Sequence, residues 1–279
     1  NFNIDTMKKI SHFSLKNPAT EIKKIIILKD GRILISSEYN FYIYRLEEDY
    51  NDICNIFCIK NIIDIVQLED ENLLISEDKL KIYRLEEKEI ELIKEKKINL
   101  YNARLYCLMN NKNKIIVYNR EDSNVYIYSY KDNDLIFDKS INTEKKGVTD
   151  VCEINNKEIA INYCTYSIFG KSNYILFYDL EKDQKIKTLD VGGKLCYLNE
   201  ENLVAVNNKI YLIDLINHII KSKIKCKDSN YNCAQVFRLN NRGFIVFWDS
   251  IQYYEIQNNS NIILKGRKLL NGRCIQIFK

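Results

Sequence analysis

The chain has 279 residues, 46% hydrophobic and 29% charged, enough apolar content for one large globular domain or two small ones and too much for a disordered chain or a coiled-coil rod. Its 42 basic and 38 acidic residues leave a net charge of +4 spread along the sequence, so long-range steering toward nucleic acid is weak. No apolar run approaches the roughly 18 residues needed to cross a bilayer, and no signal peptide is visible.

In chain order, the first residues read as the close of a repeat. Residues 2–15 align with residues 211–224, Ile4-Asp5 falling on Ile213-Asp214, which predicts two closing strands. The first hairpin signal follows: the apolar run Ile25 to Leu28, a polar turn at Lys29-Asp30-Gly31-Arg32, and a second run at Ile33-Leu34-Ile35. A third strand then ends in Ile43-Tyr44-Arg45-Leu46-Glu47-Glu48. The same phrase returns 39 residues later as Ile82-Tyr83-Arg84-Leu85-Glu86-Glu87, preceded by the same hairpin, from Ile65 to Leu68 and from Leu73 to Ile75. Glu86 to Ile98 is the one stretch with a helical alternative, and its Lys and Glu read instead as an outer strand guarded by charge.

The hairpin recurs around Leu108, Ile154, Leu198 and Leu239, so the anchors Leu28, Leu68, Leu108, Ile154, Leu198 and Leu239 are separated by 40, 40, 46, 44 and 41 residues. A third strand ends near Tyr44, Tyr83, Tyr128, Tyr178, Ile213 and Tyr254, and a charged fourth strand closes each unit. Four short strands in roughly 41 residues make a propeller blade. Gln276-Ile277-Phe278-Lys279 starts another first strand. The expectation is therefore an all-β protein of seven blades: six complete four-stranded repeats and a seventh shared by the two ends, which removes open sheet edges. Blade by blade the single domain 1–279 divides into 21–59, 60–98, 99–141, 147–191, 192–226 and 227–270, with residues 1–17 and 271–279 forming blade seven. The missing second strand of that blade leads to the expectation that the chain continues past Lys279 or that a loop is left out, and Asn1 in place of Met to the expectation that the N-terminus lies further upstream.

On this periodicity the whole chain resembles the WD40-like β-propeller family. The family's Trp-Asp is absent from the third strands, Tyr178-Asp179 and Ile213-Asp214 coming nearest, and Trp248-Asp249 follows a second strand. The excess of Ile, Asn, Lys and Tyr beside one Pro and eight Gly is the mark of an AT-rich genome, and it hands the turns to Asn, Asp and Lys. Nine irregularly spaced cysteines fit a reduced cytoplasmic or nuclear protein better than a disulfide framework. Cys54 and Cys58 lack the partners for a zinc site, since His12 and His218 are the sole histidines. No metal or cofactor is expected.

Two candidate sites emerge. The residue four before each anchor is polar in every repeat: Lys24, Asp64, Arg104, Asp150, Lys194 and Gln235, with Gln276 extending the series. In a propeller these positions ring the channel mouth. Their alternating charge reads either as self-neutralising ion pairs or as a polar recognition surface, and the surrounding Lys and Arg are expected to hold the aspartates ionised. On the same face blade four inserts about ten residues, Tyr163 to Asn173, expected as a loop carrying Tyr163, Tyr166, Phe169 and Lys171 between Asp150 and Lys194. The alternative for these aromatics is packing over their own blade. Gly170-Lys171-Ser172 lacks the upstream Gly of a phosphate loop, Thr165 standing in its place, and Gly192-Gly193 reads as a turn.

The functional expectation is a non-catalytic scaffold, a docking platform for protein partners within an intracellular complex, without nucleic acid or membrane partners. The alternative is a propeller enzyme or small-ligand binder using Asp64, Arg104 and Asp150 at the channel mouth. A reader of lipid phosphates is a third possibility, for which the paired-Arg motif is missing. Two basic stretches, Lys221 to Lys227 and Lys265 to Arg273, alternate with apolar residues as solvated strands do.

Overall fold

Strands such as Leu73-Leu74-Ile75 and Leu203-Val204-Ala205-Val206 are apolar on both sides of the pleat and need cover on both faces. A computed structural model shows how they obtain it. It describes residues 2–3, 8–9, 22–37, 40–44, 53–59, 61–86, 89–98, 100, 102–108, 113–144, 147–167, 170–225, 235–247, 250–258 and 260–269. Among these residues every regular element is a β-strand, and no helix is long and apolar enough to cross a membrane.

Strands β1 (Phe2–Asn3) and β2 (Lys8–Lys9) pair with each other. Six antiparallel four-stranded sheets follow, each with its strands in chain order. Sheet 1 holds β3 (Ile22–Ile27), β4 (Ile33–Ser37), β5 (Asn40–Tyr44) and β6 (Ile53–Cys58). Sheet 2 holds β7 (Asp64–Gln67), β8 (Leu73–Ser76), β9 (Leu80–Leu85) and β10 (Ile90–Lys96). Sheet 3 holds β11 (Arg104–Cys107), β12 (Lys114–Tyr118), β13 (Asn124–Lys131) and β14 (Asp134–Asn142). Sheet 4 holds β15 (Val148–Asn155), β16 (Glu158–Ser167), β17 (Gly170–Asp179) and β18 (Gln184–Leu189). Sheet 5 holds β19 (Lys194–Asn199), β20 (Asn202–Val206), β21 (Lys209–Asp214) and β22 (Ile219–Lys225). Sheet 6 holds β23 (Gln235–Arg238), β24 (Gly243–Phe247), β25 (Ser250–Gln257) and β26 (Asn261–Leu269). The ambiguous segment around Glu86 to Ile98 is thus a strand, paired with β9 through Ile90↔Leu85 and Lys96↔Leu80. The expected strand at 276–279 lies outside the described residues.

By contact the chain divides into two compact units, with sheets 1–3 in one and sheets 4–6 in the other. Within each unit the core is a set of apolar layers between successive sheets, and the two-residue period of a strand decides which layer a side chain joins. In sheet 2, Leu73 and Ile75 pack with Leu34 and Ile43 of sheet 1, while Leu74 packs with Ile115 and Val117 of sheet 3. In sheet 5, Leu203 and Ala205 face Ala160 and Phe177 of sheet 4, while Val204 and Val206 face Phe244 and Val246 of sheet 6. Second strands are therefore buried almost throughout and fourth strands largely exposed.

The turns bear out the reading that Asn and Asp replace Gly and Pro. Asp30, Asp70, Asn155, Asn199 and Asn240 each accept the amide two residues on through their side chain, the Asx turn that lets these residues nucleate a reversal. Asn61, Asn102, Asp132, Asn133, Asp183 and Asn258 adopt the left-handed conformation at positive φ, where their short polar side chains are tolerated.

Candidate functional site

The residues four before the anchors occupy one register position. Lys24, Asp64, Arg104, Asp150, Lys194 and Gln235 pair across to Ser36, Ser76, Tyr118, Asn162, Val206 and Phe247 on the second strand of their own sheets. In sheets 1 and 4 a register shift just before Lys24 and Asp150 restores this equivalence. Gln276 lies outside the described residues.

Within each unit these side chains join neighbouring sheets. Asp64 is buried. One of its oxygens takes the Lys24 ammonium of sheet 1 and its own Ile65 amide, at 2.9 Å for the latter; the other takes the Leu105 amide of sheet 3 at 3.0 Å. Arg104, exposed, donates to the Ile63 carbonyl at 3.1 Å. Asp150 repeats the device in the other unit, Oδ2 accepting the Leu195 amide of sheet 5 at 2.8 Å and Oδ1 lying 3.7 Å from the Lys194 ammonium. Sequence pairing of opposite charges thus became inter-sheet clasps. The expectation that cations keep Asp150 firmly ionised needs correction: burial pushes its carboxyl above the ordinary range, and Lys194 with the amides of Leu195 and Val151 only partly offsets that.

The residues expected as a loop form an extension of the β16–β17 hairpin. Pairing continues past Tyr163↔Tyr174 through Cys164↔Asn173, Thr165↔Ser172 and Tyr166↔Lys171 to Ser167↔Gly170. Thr and Tyr favour strands, and cross-strand hydrogen bonds satisfy a backbone that a loop would leave to solvent. Tyr163 is buried at the root, its ring stacked on Tyr174 at 5.3 Å, so it supports the hairpin and is not presented to a partner. Beside it the Cys164 amide donates to the Gly147 carbonyl at 2.9 Å. Gly147 sits at φ +104°, where an added Cβ would fall 2.2 Å from the Cys164 carbonyl oxygen. Tyr166 and Lys171 face each other across the hairpin near its tip, and Phe169 lies outside the described residues. Gly170-Lys171-Ser172 belongs to a strand and not to the turn before a helix that a phosphate loop needs.

Sequence reasoning missed Asn162. Almost fully buried in the second strand of sheet 4, it accepts the Gly193 amide of sheet 5 at 2.9 Å and donates to Thr149. Gly193, at φ +150°, lies so close to β20 that a Cβ would meet the Val206 carbonyl oxygen at 2.2 Å. A second set of links, at the opposite ends of the strands, was missed as well. In sheet 4 Glu158 receives His218 Nε2 of sheet 5 at 2.6 Å, the imidazole resting on Phe177 at 4.5 Å. In sheet 2 Asp70 and Asn72 bind the Tyr130 hydroxyl of sheet 3, which burial and the Asp70 hydrogen bond push up to about 12. The available signal was a polar residue at the head of a second strand's apolar run: Asn72, just before β8, and Glu158, the first residue of β16, both lie four residues after an anchor.

Among the described residues, the most deeply buried cysteines are poorly placed for nucleophilic chemistry. Cys58, Cys107, Cys152, Cys164 and Cys196 are free thiols. Burial pushes Cys107 up to about 11 and Cys196 to about 12, leaving neither as the thiolate that nucleophilic work requires.

Against known proteins, no family model and no curated sequence matches the chain. Solved structures do. The chain is similar to the WD40 repeats of RRP9, with 8% identity, 92% of this chain and 83% of that one covered, and a TM-score of 0.70. It is similar also to the WD40 β-propeller domain of Doa1, with 13% identity, 92% and 85% covered, and a TM-score of 0.69. The fold is a WD40-like β-propeller with six complete four-stranded blades among the described residues.

Proposed function

We propose that this protein is a non-catalytic docking platform for other proteins in an intracellular complex, binding them through the segment from Tyr163 to Asn173, with Tyr166, Phe169 and Lys171 as its contact residues, and through Asp150 and Lys194. The observation that carries this reading is the hairpin itself. Ser167 closes β16 thirteen residues past Ile154, whereas Ser76, Val206 and Phe247 close their strands eight past Leu68, Leu198 and Leu239. A projection stiffened by paired strands and rooted on a Tyr163–Tyr174 stack presents side chains with little ordering cost on binding. A tyrosine such as Tyr166 in this segment suits a protein surface.

A binding role also accommodates the carboxylates. Asp64 and Asp150 spend their oxygens on amides and ammonium groups of neighbouring sheets, which fixes the frame and leaves little for acid–base chemistry. Buried thiols suit the reducing cytoplasm or nucleus. The step from propeller to scaffold is by analogy of fold.

The test shortens the hairpin by replacing residues 165–172 with Asn-Gly, so that the Cys164↔Asn173 pair closes on a two-residue turn. The tagged protein, this variant and a Tyr166→Ala, Phe169→Ala variant are purified from the native cell, and retained proteins are identified by mass spectrometry. Partners lost from both variants, with melting temperatures unchanged, support the site. An identical set retained by all three forms removes the hairpin from the function.

A further inference from the structure

The outermost strands of the two units differ in charge. In sheets 4, 5 and 6, strands β18, β22 and β26 carry two, three and three Lys or Arg and no Asp or Glu. In sheets 2 and 3, β10 has two of each sign, and β14 has one Lys against two Asp. Ion pairs occur on both sets of strands, Arg84 with Glu91, Lys79 with Glu95 and Lys114 with Asp138 in sheets 2 and 3, and Lys185 with Glu144, Lys221 with Asp214 and Lys265 with Glu255 in the others, where the acid comes from outside the outermost strand. Lysine on an edge strand discourages self-association, which accounts for lysine being present. It does not account for acid being absent from three successive rims, since the mixed pattern of β10 guards an edge equally well.

The feature is sharpest on β22. This strand pairs on one side with β21 and ends its sheet, so its other edge has no strand partner among the described residues. Lys221 is held by Asp214 and Asn202 of its own sheet. Lys223 and Lys225 are exposed, with no hydrogen bond or ion pair to a described residue. Between and beside them Ser222 and Ile224 turn to sheet 6, Ser222 donating to the Ser260 carbonyl and Ile224 packing on the layer between the sheets. Ile219 and Ile220 stay 47% and 40% exposed, and Ile216, in the turn before the strand, 70%.

We propose that β22 is a docking edge for an extended peptide segment in which acidic and apolar residues alternate. The segment adds to sheet 5 as a fifth strand, its main chain bonded to that edge. Residues opposite each other on neighbouring strands share a face, so its acidic side chains lie beside Lys223 and Lys225 and its apolar ones beside Ile224. The two-residue period of the charge on β22 is the period of the ligand it fits. Nucleic acid fits less well, because β18, β22 and β26 contain no aromatic residue on which a base could stack. This edge is separate from the β16–β17 hairpin, and shortening the hairpin leaves the assay below unchanged.

The test measures fluorescence anisotropy of a labelled nonapeptide of alternating Glu and Val, beside a peptide of identical composition with its Glu and Val in two blocks. The alternating peptide is expected to bind at least tenfold tighter than the block peptide. Lys223→Glu, Lys225→Glu is expected to weaken it about fivefold or more, in keeping with about 0.5 kcal/mol or more per ion pair. Lys131→Glu, an exposed change at the end of β13, leaves binding as it is, and circular dichroism verifies that each variant is folded. Equal binding of both peptides, or of the double variant and the wild type, overturns the proposal. So does tighter binding of a ten-nucleotide oligouridylate or of phosphatidylserine vesicles than of the alternating peptide. A dimer of the protein that the double variant dissolves overturns it too, by making a second copy the occupant.

Discussion

At the scale of single residues, polar side chains between sheets carry more of the fold than their number suggests. Asp64 gives acceptors to an amide and an ammonium from two different sheets. Asp64→Ala strands the Leu105 amide in a buried layer and removes the counter-charge of Lys24, at a cost of about 3 kcal/mol, to be read from urea unfolding; a loss under about 1 kcal/mol would show that the clasp is ornamental. Asp64→Asn keeps one acceptor and costs less. Asp150 makes a similar link in the other unit. Because burial raises its pKa, the native state holds its proton more tightly than the unfolded chain does. Its contribution therefore favours the native state below the ordinary carboxyl pKa of about 4 and is lost as pH rises through the native value. Asp150→Asn preserves an acceptor for Leu195 and sheds that cost, so its melting temperature should gain on the wild type between pH 4 and pH 7. A gain of the opposite sign would mean that Lys194 dominates after all. The polarity of these positions was legible in the sequence, as one polar residue four before each anchor. Their geometry was not, because a carboxylate's choice between solvent, a neighbouring ammonium and the next sheet's amide depends on how adjacent sheets are set against each other, which no spacing announces.

At the scale of elements, what the sequence revealed was set by the period of its apolar residues. Hairpins recurring at about 41 residues located all six sheets, since a turn flanked by two apolar runs has few other solutions. The stretch from Tyr163 to Asn173 was harder, because about ten residues inserted where the other blades have short connections read as a loop. Their pairing comes from the strands below, which are already in register at Tyr163↔Tyr174 and continue at little entropic cost. That register depends on Gly147, whose backbone touches Cys164 where a side chain cannot fit. Gly147→Ala, strained at positive φ and colliding with the Cys164 carbonyl, should cost roughly 2–3 kcal/mol and should accelerate amide exchange in Cys164 and Thr165 ahead of the rest of sheet 4. Exchange rising equally across the sheet would place the strain elsewhere. The links between Glu158 and His218 and between Asn72 and Tyr130 were harder to read for a related reason: each joins groups about sixty residues apart, a separation longer than the repeat itself.

At the scale of the whole molecule, every sheet repeats one gradient, and the gradient follows from how a strand is covered. A second strand has a neighbour on each edge, and β8 and β20, which also lie between two other sheets of their own unit, are buried along their entire length. A fourth strand has one neighbour, and β10 and β22 alternate between partial and full exposure. Local opening that frees a fourth strand exposes little apolar surface, whereas freeing a second strand uncovers two apolar layers and approaches the cost of unfolding the unit. Hydrogen exchange followed by mass spectrometry should therefore sort the chain by strand position and not by sheet number. Peptides covering β4, β8, β12, β16, β20 and β24 should exchange most slowly, those covering β10, β14, β18, β22 and β26 fastest among the strands, with first and third strands between. Protection tracking sheet number instead would mean that sheets open as whole units. The period of two that assigns alternate side chains to alternate layers would then govern packing without governing how the molecule opens.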